Sequence, residues 1–461
     1  MVCESCFEKQ RRIDELTEEN IRLQQQLRHY QKKTKQGYFG ANTSSSKIPV
    51  KPNQSPDKPK KKPGAKPGHK GHGRQRITKE NADQVVKVYP EIKVCPHGHG
   101  ELHEHQMHER GVLDMPPLKI IRLVQLLVEM KCPVCNFRVK AQAQNVMPKN
   151  LYSNTLLSNI AMLYYQHGIP LRRLSKIFGL RHGSLIHNFY RLGQALERIY
   201  QKIMTDYRAS RVKHADETSW RIAGKNAWAW IFCTLQTVLF HFAASRKGEI
   251  ARNMIGKSNG NDVVVVDRYG GYNAIDPPRQ FCFAHLLRDV KQLEKDFPDN
   301  QEISKFQGIV APLLSEAMKL RNQPINDELY YVKAKSLKRK IMRAANHDSR
   351  HPAIAHIQDI FLNQKKQLFH WTKDRRIPAE NNQAERDIRR TVISRKLSFG
   401  SQSISSAHMR SVLMSVLHTL DKRQHKQAAD QSFENILNAI EKKNRKLSVK
   451  ASLLPRPLYN F

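Results

Sequence analysis

The sequence predicts an α/β core with a helical insertion, preceded by a coiled coil, a small zinc-ribbon-like unit and a further helical region. Three β-branched and aromatic runs, a short helical stretch and a wholly apolar run succeed one another between Arg211 and Asp267, which is the pattern of a mixed sheet. Helical patterns dominate on both sides of this region. With 461 residues, 39% of them apolar, the chain can form buried cores in several domains.

The charge of the chain predicts a polyanionic partner. Lys and Arg total 79 against 41 Asp and Glu, a net charge of +38, which makes nucleic acid the first hypothesis. There is no apolar run of about 18 residues, and the start MVCESCFEKQRR lacks the apolar core of a signal peptide. We therefore expect a cytoplasmic, nucleoid-associated protein with no membrane partner. Its 7 cysteines, an odd number, indicate metal binding or burial and not a disulfide framework.

Residues 1–40 have the heptad rhythm of a leucine zipper. Positions separated alternately by three and four residues carry Ile13, Leu16, Asn20, Leu23 and Leu27. An asparagine at an a position favours a parallel two-stranded register, so a homodimer through this seam is expected. The alternative is one amphipathic helix packed on its own domain.

Residues 41–80 form a basic, Pro- and Gly-rich linker that lacks the apolar side chains of a core. Its positive charge would release counterions from a phosphate backbone, which gives binding without sequence preference. The alternative is a solvated linker that contacts nothing. The candidate DNA-binding residues are Lys60, Lys61, Lys62, Lys66 and Lys70.

Residues 81–148 have the pattern of a small zinc-binding β unit. Cys132-Pro-Val-Cys135 is a tight turn that directs two sulfurs at one metal. The first half of the site is irregular, because Gly98 stands where the same spacing from Cys95 would require a cysteine. His97 or His99 would then supply the fourth ligand to Zn²⁺. The alternative is a reduced, metal-free hairpin.

Residues 149–205 are predicted to be helical, with a helix-turn-helix pattern in GIPLRRLSKIFGLRHGSLIHNFYRL. Ser175 precedes Gly179, which can adopt the positive φ of the turn, and Leu185 would pack the second helix on the first. An ordinary helical hairpin is the alternative. The residues predicted to face a DNA groove are Arg181, His182, Ser184, His187 and Asn188.

Two aspartates are predicted to meet in the core at residues 206–400. Asp216 lies in RVKHADET, a strand expected to end in acids, and Asp267 follows the apolar strand VVVV. If the fourth strand pairs in parallel with the first, the two carboxylates lie side by side. Such a pair needs a proton or a cation, and Mg²⁺ or Mn²⁺ suits oxygen ligands with open positions. The alternative is that both are ordinary strand-end and turn residues.

A third carboxylate is predicted on the helix that follows PAENNQ, where two Asn residues are suited to capping. Glu385 would lie on the same face as Ile388 and so beside an apolar stripe, where its charge needs a partner. Glu380 and Glu217 are its rivals. The cations expected to surround the site and contact DNA are Arg386, Arg389, Arg390, Arg395 and Lys396.

The motifs HADETSW, VVVVDRYGGY, CFAH and ENNQAERDIRRTVISRKLSFGS resemble those of the DDE transposases of the IS sixty-six insertion-sequence group. The resemblance extends to the zipper, the basic linker, the zinc unit and the helical region, and so covers nearly the whole chain. It implies a ribonuclease-H-like catalytic core whose triad is Asp216, Asp267 and Glu385, with two Mg²⁺ or Mn²⁺ ions. A helical insertion at about 277–377 and a C-terminal helical region at 401–461 are also implied.

The activity implied by the resemblance is strand cleavage at the ends of an insertion sequence and their transfer to target DNA, with possible helper proteins. The group's Cys-x-x-His motif falls on Cys282 and His285, for which a structural turn under the active site is our interpretation. Two positions depart from the group: Gly98, and RRTVI in place of an Arg-Pro run. Alternative functions are a non-catalytic DNA-binding regulator or inactive relative, and a nuclease that cuts without joining.

Overall fold

The computed structural model describes residues 4–35, 77–97, 99–113, 120–135, 137–346, 349, 351–423 and 432–443. Two compact units are present, one of residues 50–122 and one of residues 1–49 with 123–461. The five candidate lysines of the basic linker lie outside the described residues. None of the described helices is both long and apolar enough to cross a membrane.

The N-terminal region is a single helix, α1, at Glu4–Lys35. Its described apolar side chains are about half exposed, at 55% for Ile13, 47% for Leu16 and 55% for Leu23. The predicted seam is therefore largely uncovered in the protomer. Pairing with a second copy stays a prediction.

The region of the predicted zinc unit contains two short antiparallel strands, β1 at Glu129–Lys131 and β2 at Arg138–Lys140. They flank the turn that carries Cys132 and Cys135. An isolated bridge joins Val94 to Glu101 farther upstream.

Three helices come next: α2 at Asn154–Tyr165, α3 at Leu171–Ile177 and α4 at His182–Ala209. Gly179 has a φ of +62° in the turn between α3 and α4. Leu174 and Leu185, one from each helix, are fully buried. The turn at Gly179 and the packing of Leu185 agree with the sequence pattern, and the choice between a DNA-binding helix-turn-helix and an ordinary helical hairpin stays a prediction.

The core of the larger unit is a five-stranded mixed sheet in the order β5-β4-β3-β6-β7. The strands are β3 Val212–Ile222, β4 Lys225–Cys233, β5 Val238–Ala243, β6 Val263–Val266 and β7 Arg279–Phe281. β3, β4 and β5 are antiparallel neighbours, whereas β6 pairs in parallel with both β3 and β7. Helix α5, Gly248–Ile255, joins β5 to β6, and β6 is fully buried. The predicted parallel pairing of the first and fourth strands is confirmed.

Strand β3 differs from the prediction that it ends at the acids. It continues past Thr218 to Ile222, because Ala223 and Gly224 both take positive φ values, 51° and 74°, and form a tight hairpin turn into β4. Asp216 is therefore a mid-strand residue. The neighbouring strand β6 does end beside Asp216, because its last residue is Val266.

The rest of the larger unit is mostly helical. A 3₁₀ turn at Gly270–Ala274 lies between β6 and β7. The predicted insertion, about 277–377, is helical apart from β7, which belongs to the sheet, and a 3₁₀ turn at His370–Thr372. The remaining helices are α6 Phe283–Asp296, α7 Gln301–Leu320, α8 Asp327–Ala345, α9 Pro352–Asn363, α10 Lys365–Leu368, α11 Asn382–Ser398, α12 Ile404–Arg423 and α13 432–443.

Helix α12 covers the edge of the sheet at β5. An edge strand presents backbone N–H groups that are unpaired, and these are met by hydroxyl groups spaced four residues apart on α12. The hydrogen bonds run from Val238 N to Thr419 Oγ1 (3.0 Å), from Phe240 N to Ser415 Oγ (2.8 Å) and from Phe242 N to Ser411 Oγ (3.2 Å). The edge is thereby closed to pairing with another strand.

Gly400 holds the end of α11 against β3, and its replacement tests this contact. Its φ is +131°, and a methyl group added there would overlap the carbonyl of Arg221. We expect Gly400→Ala to lower the free energy of unfolding by about 1–3 kcal/mol. Gly183→Ala is the matched control, because nothing lies within 4 Å of its added methyl group. Equal thermal midpoints for Gly400→Ala and the wild type would contradict the close approach.

Candidate active site

Asp216 and Asp267 lie on adjacent parallel strands at equivalent positions. The register pairs His214 with Val265, and each aspartate follows two residues later on its own chain. Both are buried, with 2% of Asp216 and 1% of Asp267 exposed. The structure thus brings these two predicted site residues together.

Asp267 has one carboxylate oxygen without a protein partner. Its Oδ1 accepts a hydrogen bond from the Tyr269 backbone N–H at 2.9 Å, whereas the buried Oδ2 has no hydrogen-bond partner among the described residues. Burial, followed by the charge of Glu217, raises the pKa of Asp267 to about 8. A buried oxygen that lacks a donor is chemically suited to a cation.

Glu385 stands in the first turn of α11, and that helix is anchored to β3 by Asn381. The predicted capping by this asparagine is wrong, since its side chain makes no cap hydrogen bond. Instead Asn381 Nδ2 donates to the Ala215 carbonyl at 2.8 Å, and its Oδ1 lies 2.9 Å from His214 Nδ1. The asparagine therefore ties the start of α11 to the strand that carries Asp216.

The three carboxylates form one electrostatic group. The pKa of Asp216 is raised well above its usual value by burial and then by the negative charges of Glu217, Asp267 and Glu385. The Glu385 side chain is 22% exposed, and its Oε1 accepts a hydrogen bond from Arg288 at 3.0 Å. The cluster is thus a buried concentration of negative charge with an accessible side at Glu385.

The rival Glu217 is committed to other contacts. It is fully buried, its Oε1 accepts from Arg246 Nε at 3.1 Å, and its Oε2 accepts from the Tyr272 hydroxyl at 2.7 Å. Both oxygens are therefore engaged by protein donors. The other rival, Glu380, precedes α11 and has a pKa raised chiefly by burial.

The predicted cations near Glu385 divide into two groups. Arg395 donates to the Ser219 carbonyl at 2.7 Å and Arg390 to Asp421 at 2.8 Å, so both stabilise the fold. The exposed cations are Arg386, Arg389 and Lys396. These three present positive charge on the solvent side of α11.

Sequence reasoning missed two arginines close to the carboxylates. Arg288 contacts Glu385, and Arg268, which directly follows Asp267, pairs with Asp289. The available signal was the helical spacing that places Arg288 one turn after His285, on the same face of α6.

Cys282 and His285 lie at the start of α6, close to the cluster. Cys282 is the N-cap residue of this helix, and its Sγ accepts a hydrogen bond from the Asn381 backbone N–H at 3.1 Å. Burial, followed by the charges of Arg288 and Arg268, lowers the pKa of His285 to about 3. The imidazole is therefore neutral at physiological pH.

The ligands of the predicted zinc unit lie in two compact units. Cys95 Sγ is 3.6 Å from His99 Nδ1 in the smaller unit, which also holds His97. Cys132 and Cys135 belong to the larger unit, where backbone N–H groups of the turn lower the pKa of Cys132. Their convergence on one Zn²⁺ stays a prediction.

The helix-turn-helix residues differ in exposure. Arg181 and His187 are exposed, and His182 and Ser184 are partly exposed. Asn188 contradicts the prediction that it faces a groove, because it is only 6% exposed and its Nδ2 donates to the Ser184 carbonyl at 2.8 Å. The exposed basic residues of α3 that the sequence argument missed are Arg172, Arg173 and Lys176.

The mixed five-stranded sheet with its helices is compatible with a ribonuclease-H-like core. Residues 149–409 match the family model described as "Transposase IS66 family", and the chain belongs to this family. It is also similar to "Uncharacterized protein y4jD" of Sinorhizobium fredii, with 23% identity over 380 residues that cover 72% of each chain.

Proposed function

We propose that the protein is a DNA transposase that cleaves the ends of an insertion sequence and joins them to target DNA with the help of divalent metal ions. One observation carries the proposal: Asp216 and Asp267 occupy equivalent positions on paired parallel strands, and the charge of Glu385 reaches the same buried site. Family membership supports a transposase activity in general. Assignment of the catalytic triad is our own inference.

The three carboxylates would hold two Mg²⁺ or Mn²⁺ ions. Their oxygens suit hard cations, and the buried Asp267 Oδ2 has no hydrogen-bond partner among the described residues. When bound, a pair of such ions activates the attacking water or 3′ hydroxyl and stabilises the leaving 3′ oxygen. A Zn²⁺ ion at Cys132 and Cys135, which both lie in the larger unit, is proposed as a separate structural ion.

The protein residues supply position and charge. Asn381 bonds the start of α11 to the residue before Asp216, and in our proposal this contact positions Glu385 to share metal ions with the aspartate pair. Arg288 pairs with Glu385 in the absence of other ligands and becomes available to a phosphate once the carboxylate is engaged elsewhere. Burial of the aspartates excludes water, which strengthens their interaction with cations.

DNA is the proposed partner. The net charge of +38, the α3–α4 pair and the exposed cations of α11 offer contacts to a phosphate backbone. The lysines of the linker are included in this proposal on sequence grounds alone. Helper proteins are a further proposed class of partner.

The test of this function is a reaction of the full-length protein with DNA that carries the ends of its own element. With Mg²⁺ we expect both nicked ends and products joined to target DNA, and chelation of the metal should abolish both. Cleavage without joined products would identify a nuclease. Binding without either product would identify a DNA-binding regulator and contradict the proposal.

We also propose that the protein is a homodimer through α1. Two element ends must be held together for joining, and a parallel zipper would provide the two-fold arrangement. Leu16→Asp with Leu23→Asp should give a monomer in light scattering, because charges at seam positions oppose packing. Glu18→Gln with Glu19→Gln, which changes exposed acids of the same helix, is the control. Dimers that survive the leucine changes would rule out this seam.

A further inference from the structure

A second group of metal-ligand side chains lies beside the carboxylates. Cys282 Sγ, a ring nitrogen of His285 and a carboxylate oxygen of Glu385 all lie within 4.8 Å of one another. The first two come from the start of α6 and the third from the first turn of α11. Of these three side chains, only Glu385 belongs to the proposed catalytic triad. The roles of Cys282 and His285 therefore need a separate explanation.

His285 is a buried polar side chain without a hydrogen bond. It is 5% exposed, and neither Nδ1 nor Nε2 has a hydrogen-bond partner among the described residues. Its Nδ1 lies 3.9 Å from Glu385 Oε1, beyond hydrogen-bond distance. A buried imidazole with two unsatisfied nitrogens is costly, and a bound ion would satisfy one of them.

Burial, followed by the charge of Glu385, raises the pKa of Cys282 to about 12, so the thiol keeps its proton in the metal-free protein. The backbone N–H of Asn381 donates to Sγ at 3.1 Å, and the N–H groups of Ala284 and His285 in the first turn of α6 also act on it. These N–H groups oppose that rise in pKa and would support the thiolate that forms when a metal ion displaces the proton.

We propose that Cys282, His285 and Glu385 bind a divalent transition-metal ion of the Zn²⁺ class. Sulfur, nitrogen and oxygen donors from three side chains, with a fourth position open, match the ligand number and type that Zn²⁺ takes in proteins. Binding releases the proton of the Cys282 thiol to solvent and displaces Arg288 from Glu385. The site differs from the proposed Mg²⁺ site in its softer donors and requires no DNA.

Co²⁺ is the probe, because a cobalt ion bound to a thiolate has a charge-transfer absorption in the near ultraviolet that a carboxylate site lacks. The full chain is used with five of its seven cysteines changed to serine, so that only Cys233 and Cys282, which are both buried, remain. The changed residues are Cys3, Cys6, Cys95, Cys132 and Cys135. We expect this protein to bind one equivalent of Co²⁺ with that absorption, and Zn²⁺ to displace it.

Two ligand variants in the same background test the assignment. Cys282→Ser should lose the charge-transfer band, and His285→Ala should weaken Co²⁺ binding by about 100-fold or more. The matched control is Cys233→Ser, which removes the other buried thiol and should keep the band. Circular dichroism of each variant checks that it folds.

A second variant at His285 covers the case in which His285→Ala disturbs folding. His285→Cys should retain Co²⁺ and strengthen the thiolate band, because it adds a second sulfur ligand. Absence of a band in the background protein, its persistence in Cys282→Ser, or an unchanged band in His285→Cys would overturn the proposal. Asp216→Asn should keep the band whether or not it cleaves DNA, which separates this test from that of the proposed function.

Discussion

Asp216→Asn and Glu385→Gln are each expected to abolish Mg²⁺-dependent strand cleavage while leaving DNA binding intact. The amides keep the size of the carboxylates but lack the charge that holds a divalent ion. Bound metal contributes several kcal/mol to stabilising the charge that develops in the reaction. Because each 1.4 kcal/mol or so is a factor of ten in rate, we expect losses of about 1,000-fold or more.

The metal-free Asp216→Asn protein should also be more stable than the wild type. A carboxyl buried beside Glu217, Asp267 and Glu385 must either keep a proton or bear their repulsion, and both cost stability that an amide does not lose. A gain in thermal midpoint together with a loss of cleavage is the signature of a functional carboxylate held at a cost in stability.

Glu380→Gln and Asp276→Asn are the matched controls for these variants. Glu380 is the neighbouring acid that the sequence left as a rival, and Asp276 is an exposed aspartate in the same unit. Both should cleave DNA within a few-fold of the wild type. Full cleavage by Glu385→Gln combined with loss in Glu380→Gln would transfer the third position of the triad to Glu380.

The second large effect is that Asp267 makes the stability of the metal-free protein and its Mg²⁺ affinity depend on pH. Its pKa in the folded protein is raised to about 8, against an ordinary value of 3.8. Between these values the folded state retains a proton that the unfolded state has lost, so the stability of the metal-free protein falls as pH rises from about 5 to 8. Divalent metal competes with that proton, and Mg²⁺ affinity should therefore rise by up to about tenfold per pH unit below 8.

Thermal unfolding of wild type and Asp267→Asn across this pH range measures the effect, because other titrating groups are common to both proteins. The wild type should lose at least about 2 °C more in its midpoint, which corresponds to roughly 1 kcal/mol in a domain of this size. Parallel pH profiles for the two proteins would mean that Asp267 ionises normally, and the buried carboxylate cluster would lose its main support.

Much of the core could be predicted because its pattern is local. The apolar run before Asp267 and the turn at Gly179 follow from strand composition and backbone preference. The parallel pairing that aligns Asp216 with Asp267 follows from the connection through α5. Local pattern and connection rules were sufficient for these elements.

The supporting contacts could not be predicted because they depend on side chains that are distant in sequence. The Asn381 side chain bonds to β3 and not to its own helix, and Arg246 and Tyr272 occupy both oxygens of Glu217. These contacts are decided by packing between elements, which helical or strand periodicity does not predict.

A crystal soaked in Mn²⁺ tests the central claim most directly, since the anomalous signal of the ion locates it without reference to activity. Our account predicts Mn²⁺ in contact with carboxylate oxygens of Asp216 and Asp267, with Glu385 completing the site from α11. Metal bound elsewhere, or an aspartate pair without Mn²⁺ at saturating concentration, would contradict it.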